Sequence, residues 1–209
     1  PSLQFVYQFD GSERGVFIRD FWGRVFDTRY QLFSFTAGMF ARPFGYELNL
    51  SSSDRESPER GRMSQTLMKV ERDLGAMVSF EPRKKDNPLH FFKLDAGYFN
   101  GPGLTATSDY DSYKDFIARA AIKPYPLAHN LLISGGISFF QGGLRANTKY
   151  IFKTAANSNN DLDQVEDSAT TNIGSHLFRR YRGADVQVKI KEPVGATELR
   201  AEYWYGKQP

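Results

Sequence analysis

Apolar and polar side chains alternate with a period of two along most of the chain, whereas helical stripes at i, i+3, i+4 and i+7 are nearly absent. That pattern predicts β-strands throughout. Leu3, Phe5, Tyr7 and Phe9 share one face, opposed by Gln4, Val6 and Gln8. Phe17 to Phe26 is less regular: Arg19 interrupts the apolar set Phe17, Phe21 and Val25, which lies opposite Asp20, Trp22 and Arg24. From Gln31 to Ala41 the order is clean, with Phe33, Phe35, Ala37 and Met39 against Ser34, Thr36 and Gly38. The pattern returns in Arg72 to Phe80, in Phe92 to Tyr98, in Asp115 to Lys123, in Ile133 to Phe139, in Ala184 to Ile190 and in Thr197 to Tyr205. These make roughly nine strands, an all-β antiparallel fold in a single domain over residues 1–209.

The connectors fall into two classes. Glu81 to Pro88, Pro124 to Asn130 and Glu192 to Ala196 are short and rich in Pro, Gly or Asn, the chemistry of tight turns. Asn49 to Val70, Asn100 to Tyr110 and Lys153 to Phe178 are long and polar, and Ala155 to Thr171 reads as a mobile surface loop. Short turns alternating with long loops are the arrangement of outer-membrane barrels. A soluble β-sandwich or small barrel with a binding or structural role gives the same alternation. The makeup of the two faces favours the membrane. One carries Ser, Gly, Thr, Asp, Lys and Arg together, as a wet lumen does, and the other mixes Phe with Ala and Gly, which lipid tolerates better than a close-packed core.

Composition changes this picture in three ways. A mean hydropathy of −0.51 excludes a transmembrane helix but not a barrel, whose strands expose only every second residue to lipid. Aromatics reach 15%, with 18 Phe and 11 Tyr, enough for a lipid-facing band and interfacial girdles; Tyr203, Trp204 and Tyr205 suit such a girdle. The absence of cysteine excludes disulfides, thiolate catalysis and Cys-based zinc sites. A net charge of +3 argues for no polyanionic partner, and the Arg83-Lys84-Lys85 run sits in a polar turn, so no nucleic acid is expected.

The ordered set Phe40-Ala41-Arg42-Pro43-Phe44-Gly45-Tyr46-Glu47, Ser51 to Arg60, Gln65-Thr66-Leu67, Glu71-Arg72-Asp73-Leu74-Gly75 and Tyr98-Phe99-Asn100-Gly101-Pro102-Gly103 resembles the phosphate-selective porin O and P family, particularly its Bacteroidetes branch. The likeness covers roughly residues 15 to 145. It implies a sixteen-stranded transmembrane β-barrel in the Gram-negative outer membrane, commonly a homotrimer, with a long loop folded inward to narrow the pore. The function it implies is passive diffusion of small solutes, including anions such as phosphate, through a channel that is not an enzyme. The label transfers more safely as porin than as phosphate. Roughly nine strands are fewer than sixteen, and a half barrel exposes unpaired edges to hydrocarbon. The expectation is that this chain is part of a larger barrel, and that the missing strands come from further sequence or another chain.

Within that frame residues 49–70 are the candidate constriction loop. A connector this long is unusual unless functional or disordered, and it contains helix-start chemistry in Ser53-Asp54-Arg55-Glu56 and Ser57-Pro58. A short helix there would pack Met63, Leu67 and Met68 against the wall. Arg55, Arg60 and Arg62, flanked by Arg42 and Arg72 at the strand ends, are the candidate anion-attracting residues, unless they pair with Asp54, Glu56 and Glu59. Lys93, Arg119, Lys123 and Lys189 fall on the polar faces as a cationic track, although Asp73, Asp95, Asp115 and Asp185 share those faces.

Other chemistry finds little support. His90, His129 and His176 are isolated from one another, so no metal is expected. The Gly-rich pieces lack the context of a phosphate or dinucleotide loop, so no cofactor is expected. No Gly-x-Ser-x-Gly elbow is present, and a barrel hydrolase stands as the weakest alternative.

Overall fold

The computed structural model describes residues 2–13, 15–57, 59–101, 103, 113–157 and 161–208. Its strands are β1 (Leu3–Ser12), β2 (Gly15–Phe26), β3 (Phe33–Ala41), β4 (Arg72–Phe80), β5 (Phe92–Phe99), β6 (Asp115–Ala128), β7 (Leu131–Arg145), β8 (Ile151–Ala156), β9 (Leu162–Asp167), β10 (His176–Glu192) and β11 (Gly195–Lys207). Among the described residues one short α-helix, α1 (Arg62–Leu67), lies between β3 and β4, and no described helix is long and apolar enough to cross a membrane. Nine strands pair antiparallel in one sheet, in the order β1-β2-β3-β4-β5-β6-β7-β10-β11. Each therefore lies beside its neighbour in sequence, apart from the separate β8-β9 hairpin inserted between β7 and β10. No ring closes among the described residues: β1 pairs only with β2, and β11 only with β10.

The up-and-down order sorts the connectors. The connections β2-β3, β4-β5, β6-β7 and β10-β11 share one end of the sheet and none of them is long; two reduce to His129-Asn130 and Pro193-Val194. The other end holds the long connections β3-β4, β5-β6 and β7-β10, together with the tight turn from β1 to β2.

Alternation has segregated the two faces in an unusual direction. Phe5, Phe35, Val78, Ile137 and Leu199 are 48–66% exposed. Behind them Thr36, Asp73, Ser79 and Ser138 are at most 5% exposed. The face with more polar side chains is thus the covered one. Its cover is the β3-β4 connector, whose Phe44, Leu48 and Met68 pack with Phe40, Met77, Phe99, Ile117, Phe140, Tyr181 and Trp204 of the sheet.

Several local expectations are corrected. Arg19 disturbs the β2 pattern because it is the extra residue of a β-bulge: Gln8 pairs with Asp20 and Phe9 with Ile18, leaving Arg19 to bind Asp10 at 3.2 Å. Pro124 to Asn130 is not a turn, since β6 runs to Ala128. Pro124, which has no N–H to give the ladder, sits in a break of register between Ile122 and Tyr125. The region expected as a mobile loop from Ala155 to Thr171 instead contributes to the β8-β9 hairpin, tied by Lys153 to Asp167 at 3.3 Å and by the Asn157 N–H to the Asp161 carbonyl at 2.8 Å. Trp204 is not a girdle residue. Strand parity turns it to the covered face while Tyr203 and Tyr205 stay exposed. Of the expected loop from Asn100 to Tyr110, residues 102 and 104–110 lie outside the described residues.

Because the chain has no native cysteine, the two faces can be probed one position at a time. In the folded protein, Phe35→Cys and Val78→Cys should react readily with a small apolar maleimide, whereas Thr36→Cys and Ser79→Cys should react only after denaturation. Equal labelling of the two sets would contradict the assigned faces.

Candidate functional site

The candidate site is built by residues 42–71, which leave β3, cross the covered face as far as β11 and return to β4. Phe44 is the main apolar anchor. It is fully buried, with its ring 4.9 Å from Trp204 and 6.4 Å from both Phe140 and Tyr181. Gly45 follows with φ of 66°, and a Cβ there would collide with the Glu202 carboxylate, so the turn requires glycine. Its N–H donates to Ser138 Oγ at 3.0 Å. Glu202 then accepts from the Tyr46 N–H at 2.9 Å, the Glu47 N–H at 3.1 Å and Trp204 Nε1 at 2.7 Å. One carboxylate of β11 thus satisfies the backbone of a loop that starts several strands away.

The helix is held in a similar way. Its N-cap is Gly61, without a side-chain cap, and not Ser57 as the sequence suggested. Glu47 supplies the missing acceptor, taking the Gly61 N–H and the Ser64 hydroxyl, both at 2.5 Å. Ser53-Asp54-Arg55-Glu56 forms no capping box: Ser52–Asp54 is a lone 3-10 turn with no side-chain cap. Met68 is buried, and Met63 and Leu67 pack beside it.

The expected arginines are brought to this loop and its strand ends, and nearly all have carboxylate partners. Arg55 and Arg60 both reach Glu71 Oε1, at 3.1 and 2.9 Å. Arg60 also donates to the carbonyls of Met68 at 3.0 Å and Lys69 at 3.1 Å. Arg72 binds Glu71 at 2.9 Å and Asp20 at 3.0 Å. Arg42 is buried, donates to the Val70 carbonyl and lies 3.9 Å from Asp115, which Arg179 approaches at 3.4 Å. Loss of water pulls the Arg42 guanidinium below its ordinary pKa, while Asp73 and Asp115 push it back up. Arg62 alone among the loop arginines is exposed and without an ion-pair partner among the described residues. The alternative partners Asp54, Glu56 and Glu59 are not the ones used; Glu56 pairs with Arg200 of β11 at 2.7 Å.

The track along the wall is compensated as well. Lys93 lies 3.2 Å from Asp95, Lys123 3.1 Å from Glu81 and Lys189 3.5 Å from Glu198. Arg119 grips Asp185 with two contacts, at 2.5 and 3.0 Å, and reaches Ser138 Oγ at 2.9 Å. It is a mixed-charge wall, not a cationic one.

Two of the motif pieces prove to be one device. Asp73 at the start of β4 accepts N–H groups from Leu74, Gly101 and Gly103, at 2.8, 2.5 and 3.2 Å. Gly101 and Gly103 have positive φ values of 102° and 76°, and in that conformation each presents its amide to the carboxylate. Sequence reasoning singled out the cations and placed Asp115 beside them, but missed Glu71, which receives Arg55, Arg60 and Arg72, and Glu47 and Glu202, which receive the loop's amides. Nothing in their spacing reveals that role, since each acts on residues far away in sequence or on backbone amides.

Between the loop and β11 lies a cleft of about 460 Å³ lined by Arg55, Arg60, Arg62 and Arg200 and by Glu47, Glu56, Glu59 and Glu202. Such a lining presents both signs of charge to a small polar or ionic solute. No protein-family model, curated protein or solved structure matches the chain.

Phe44→Ala should detach the loop without dissolving the sheet. Large-to-small core changes of this kind cost about 3–5 kcal/mol. Proteolysis between residues 55 and 62 should accelerate strongly while amide protection in β6, β7 and β10 is retained. Unchanged proteolysis would show that the loop is held by something other than the Phe44 anchor.

Proposed function

We propose that the chain forms wall and constriction of an outer-membrane β-barrel channel for passive diffusion of small solutes. The observation that carries this reading is the inverted sheet: Phe, Leu, Val and Ile side chains stand exposed along strand after strand, while Asp, Ser, Thr and Gln are buried behind them. In water a continuous apolar face of this extent is an aggregation surface, because monomeric soluble proteins rarely show patches beyond a few hundred Å². In a bilayer it is the lipid-facing wall. Aromatic contacts gather toward both ends of that face, Phe33-Phe80-Phe92 at the short-connector end and Tyr98-Phe116-Phe139 at the long-loop end, as interfacial girdles would.

The resemblance to phosphate-selective porins supports the same role, with residues 42–71 as the inward-folded loop. In hydrocarbon the open edges of β1 and β11 would each leave unpaired N–H and C=O groups costing several kcal/mol apiece. The channel therefore closes by pairing these edges with further strands of the same protein or of a second chain, and a homotrimer fits the resemblance. Because almost every cation facing the pore has a carboxylate partner, preference for small anions such as phosphate is weak and depends mainly on Arg62. In this reading the partners are outer-membrane lipid and small solutes.

The full native protein, reconstituted in planar bilayers, should conduct. Arg62→Glu should shift the reversal potential toward cations. Arg60→Glu should raise conductance by loosening the loop, since it removes the link to Glu71 and the Met68 and Lys69 carbonyls. Protein that inserts but passes no current, or that stays monodisperse without detergent or lipid, would overturn the proposal.

A further inference from the structure

The outward face is almost free of charge. From Leu3 to Phe9, Phe21 to Val25, Phe33 to Met39, Leu74 to Phe80, Leu94 to Tyr98 and Phe116 to Ile122, every outward-facing residue is apolar or glycine. Charge gathers at the long-loop end, at Lys114 just before β6 and, nearer mid-sheet, on β10 and β11. Arg180 and Arg182 are exposed on the outward parity of β10, above Ala184, Val186 and Val188. The sheet register places Arg182 between Phe139 and Tyr205, and Arg180 between Gln141 and Lys207. Arg180 donates to Gln141 Oε1 at 3.2 Å, and its guanidinium lies 5.1 Å from the centre of the Phe178 ring. Arg182 and Lys207 have no ion-pair partner among the described residues, and β7 and β11 carry no outward carboxylate; Glu192, the outward one on β10, lies at the other end of that strand.

Beside these cations the outward surface is hollowed into an aromatic groove of about 440 Å³, lined by Tyr98, Phe116, Phe139, Gln141, His176 and Phe178. This groove, with Lys114 in its lining and Arg180 beside it through Gln141 and Phe178, matches an amphiphile with a multiply charged oxyanion head. Phosphate suits guanidinium best, because it offers paired oxygens to the planar donor fork. A second copy of the chain does not fit: its outward face brings Phe, Leu, Val and more cations, and no carboxylate near this level.

Given the bilayer reading above, we infer that Arg180, Arg182 and Lys207, with the adjoining aromatic groove, form a binding site for a phosphorylated membrane lipid of the leaflet at the long-loop end. The acyl chain lies along Phe139, Ile137 and Ala184, on the mid-sheet side of the guanidinium groups, and the head phosphate meets them at the level of Phe116 and Phe178. Charged side chains on the lipid face of a barrel are costly at mid-depth and tolerated near the interface, where a headgroup supplies the counter-charge.

The experiment uses the full native protein, floated with vesicles of phosphatidylcholine alone or phosphatidylcholine containing diphosphoryl lipid A, then examined for retained lipid by native mass spectrometry. The wild type should keep the phosphorylated lipid selectively. Arg182→Gln alone should reduce retention about fivefold, and Arg180→Gln with Arg182→Gln by roughly the square of that, taking about the strength expected for each basic residue near an anionic surface. Arg180→Lys with Arg182→Lys should keep part of it, and all variants should float as well as the wild type. Retention unchanged in the glutamine variants would overturn the site. So would displacement of the lipid by inorganic phosphate at equal phosphate concentration, which would make the phosphate group alone the ligand, or disulfide cross-linking of Arg182→Cys protomers, which would make the surface a contact between copies. Protein that floats but shows no lipid preference overturns this inference alone. Protein that floats with neither vesicle overturns the channel reading and this inference with it.

Discussion

A charged side chain on the covered side of this sheet has little water to solvate it, so it is stable only if another part of the fold supplies the opposite charge or a set of hydrogen bonds. That constraint organises the molecule. Asp73 is satisfied by the amides of Leu74, Gly101 and Gly103, and Asp185 by Arg119; Asp115 has Arg42 and Arg179. Leu74 apart, each of these satisfiers comes from another strand or connector. The ion pairs therefore tie β6 and β10 to each other and to the connector that follows β3, and removal of a single member of a buried pair costs about 3–5 kcal/mol.

The same constraint explains why the β3-β4 connector is a fixed part of the structure despite its length. Its backbone amides are received by Glu202 and Ser138 from the sheet, its helix start by Glu47, and its arginines by Glu71. Phe44 adds the apolar contact that the polar ones lack. Position and charge are thereby linked. Arg55 and Arg60, the residues that look from the sequence like an anion filter, have become struts, and Arg62, one position into the helix, is the cation left to face the cleft.

Period-two alternation made most of the fold legible. Strands β3, β4, β5 and β7, and the partition of Phe33, Phe35 and Ile137 from Thr36 and Ser138, follow from parity alone. Where reading failed, a local rule gave way to pairing across the sheet. Two prolines in β6 look like a turn, but register breaks accommodate them. The polar stretch after β7 looks like a loop, but the segment Ile151–Ala156 finds its partner in Leu162–Asp167. At the site, the cations were visible because arginine near a long loop is conspicuous. Their neutralisation was not, because Glu71 and Glu202 act through contacts that no spacing encodes.

The central claim is that the apolar face of the sheet meets hydrocarbon and the polar face does not. The chain has two tryptophans, Trp22 and Trp204, and both lie on the polar face. Fluorescence in vesicles whose acyl chains carry bromine therefore reads the orientation directly. The native protein should be weakly quenched, while Phe35→Trp and Val186→Trp should each add a strongly quenched component. Strong quenching of the native pair, or no quenching of the introduced residues in protein that has inserted, would contradict the account.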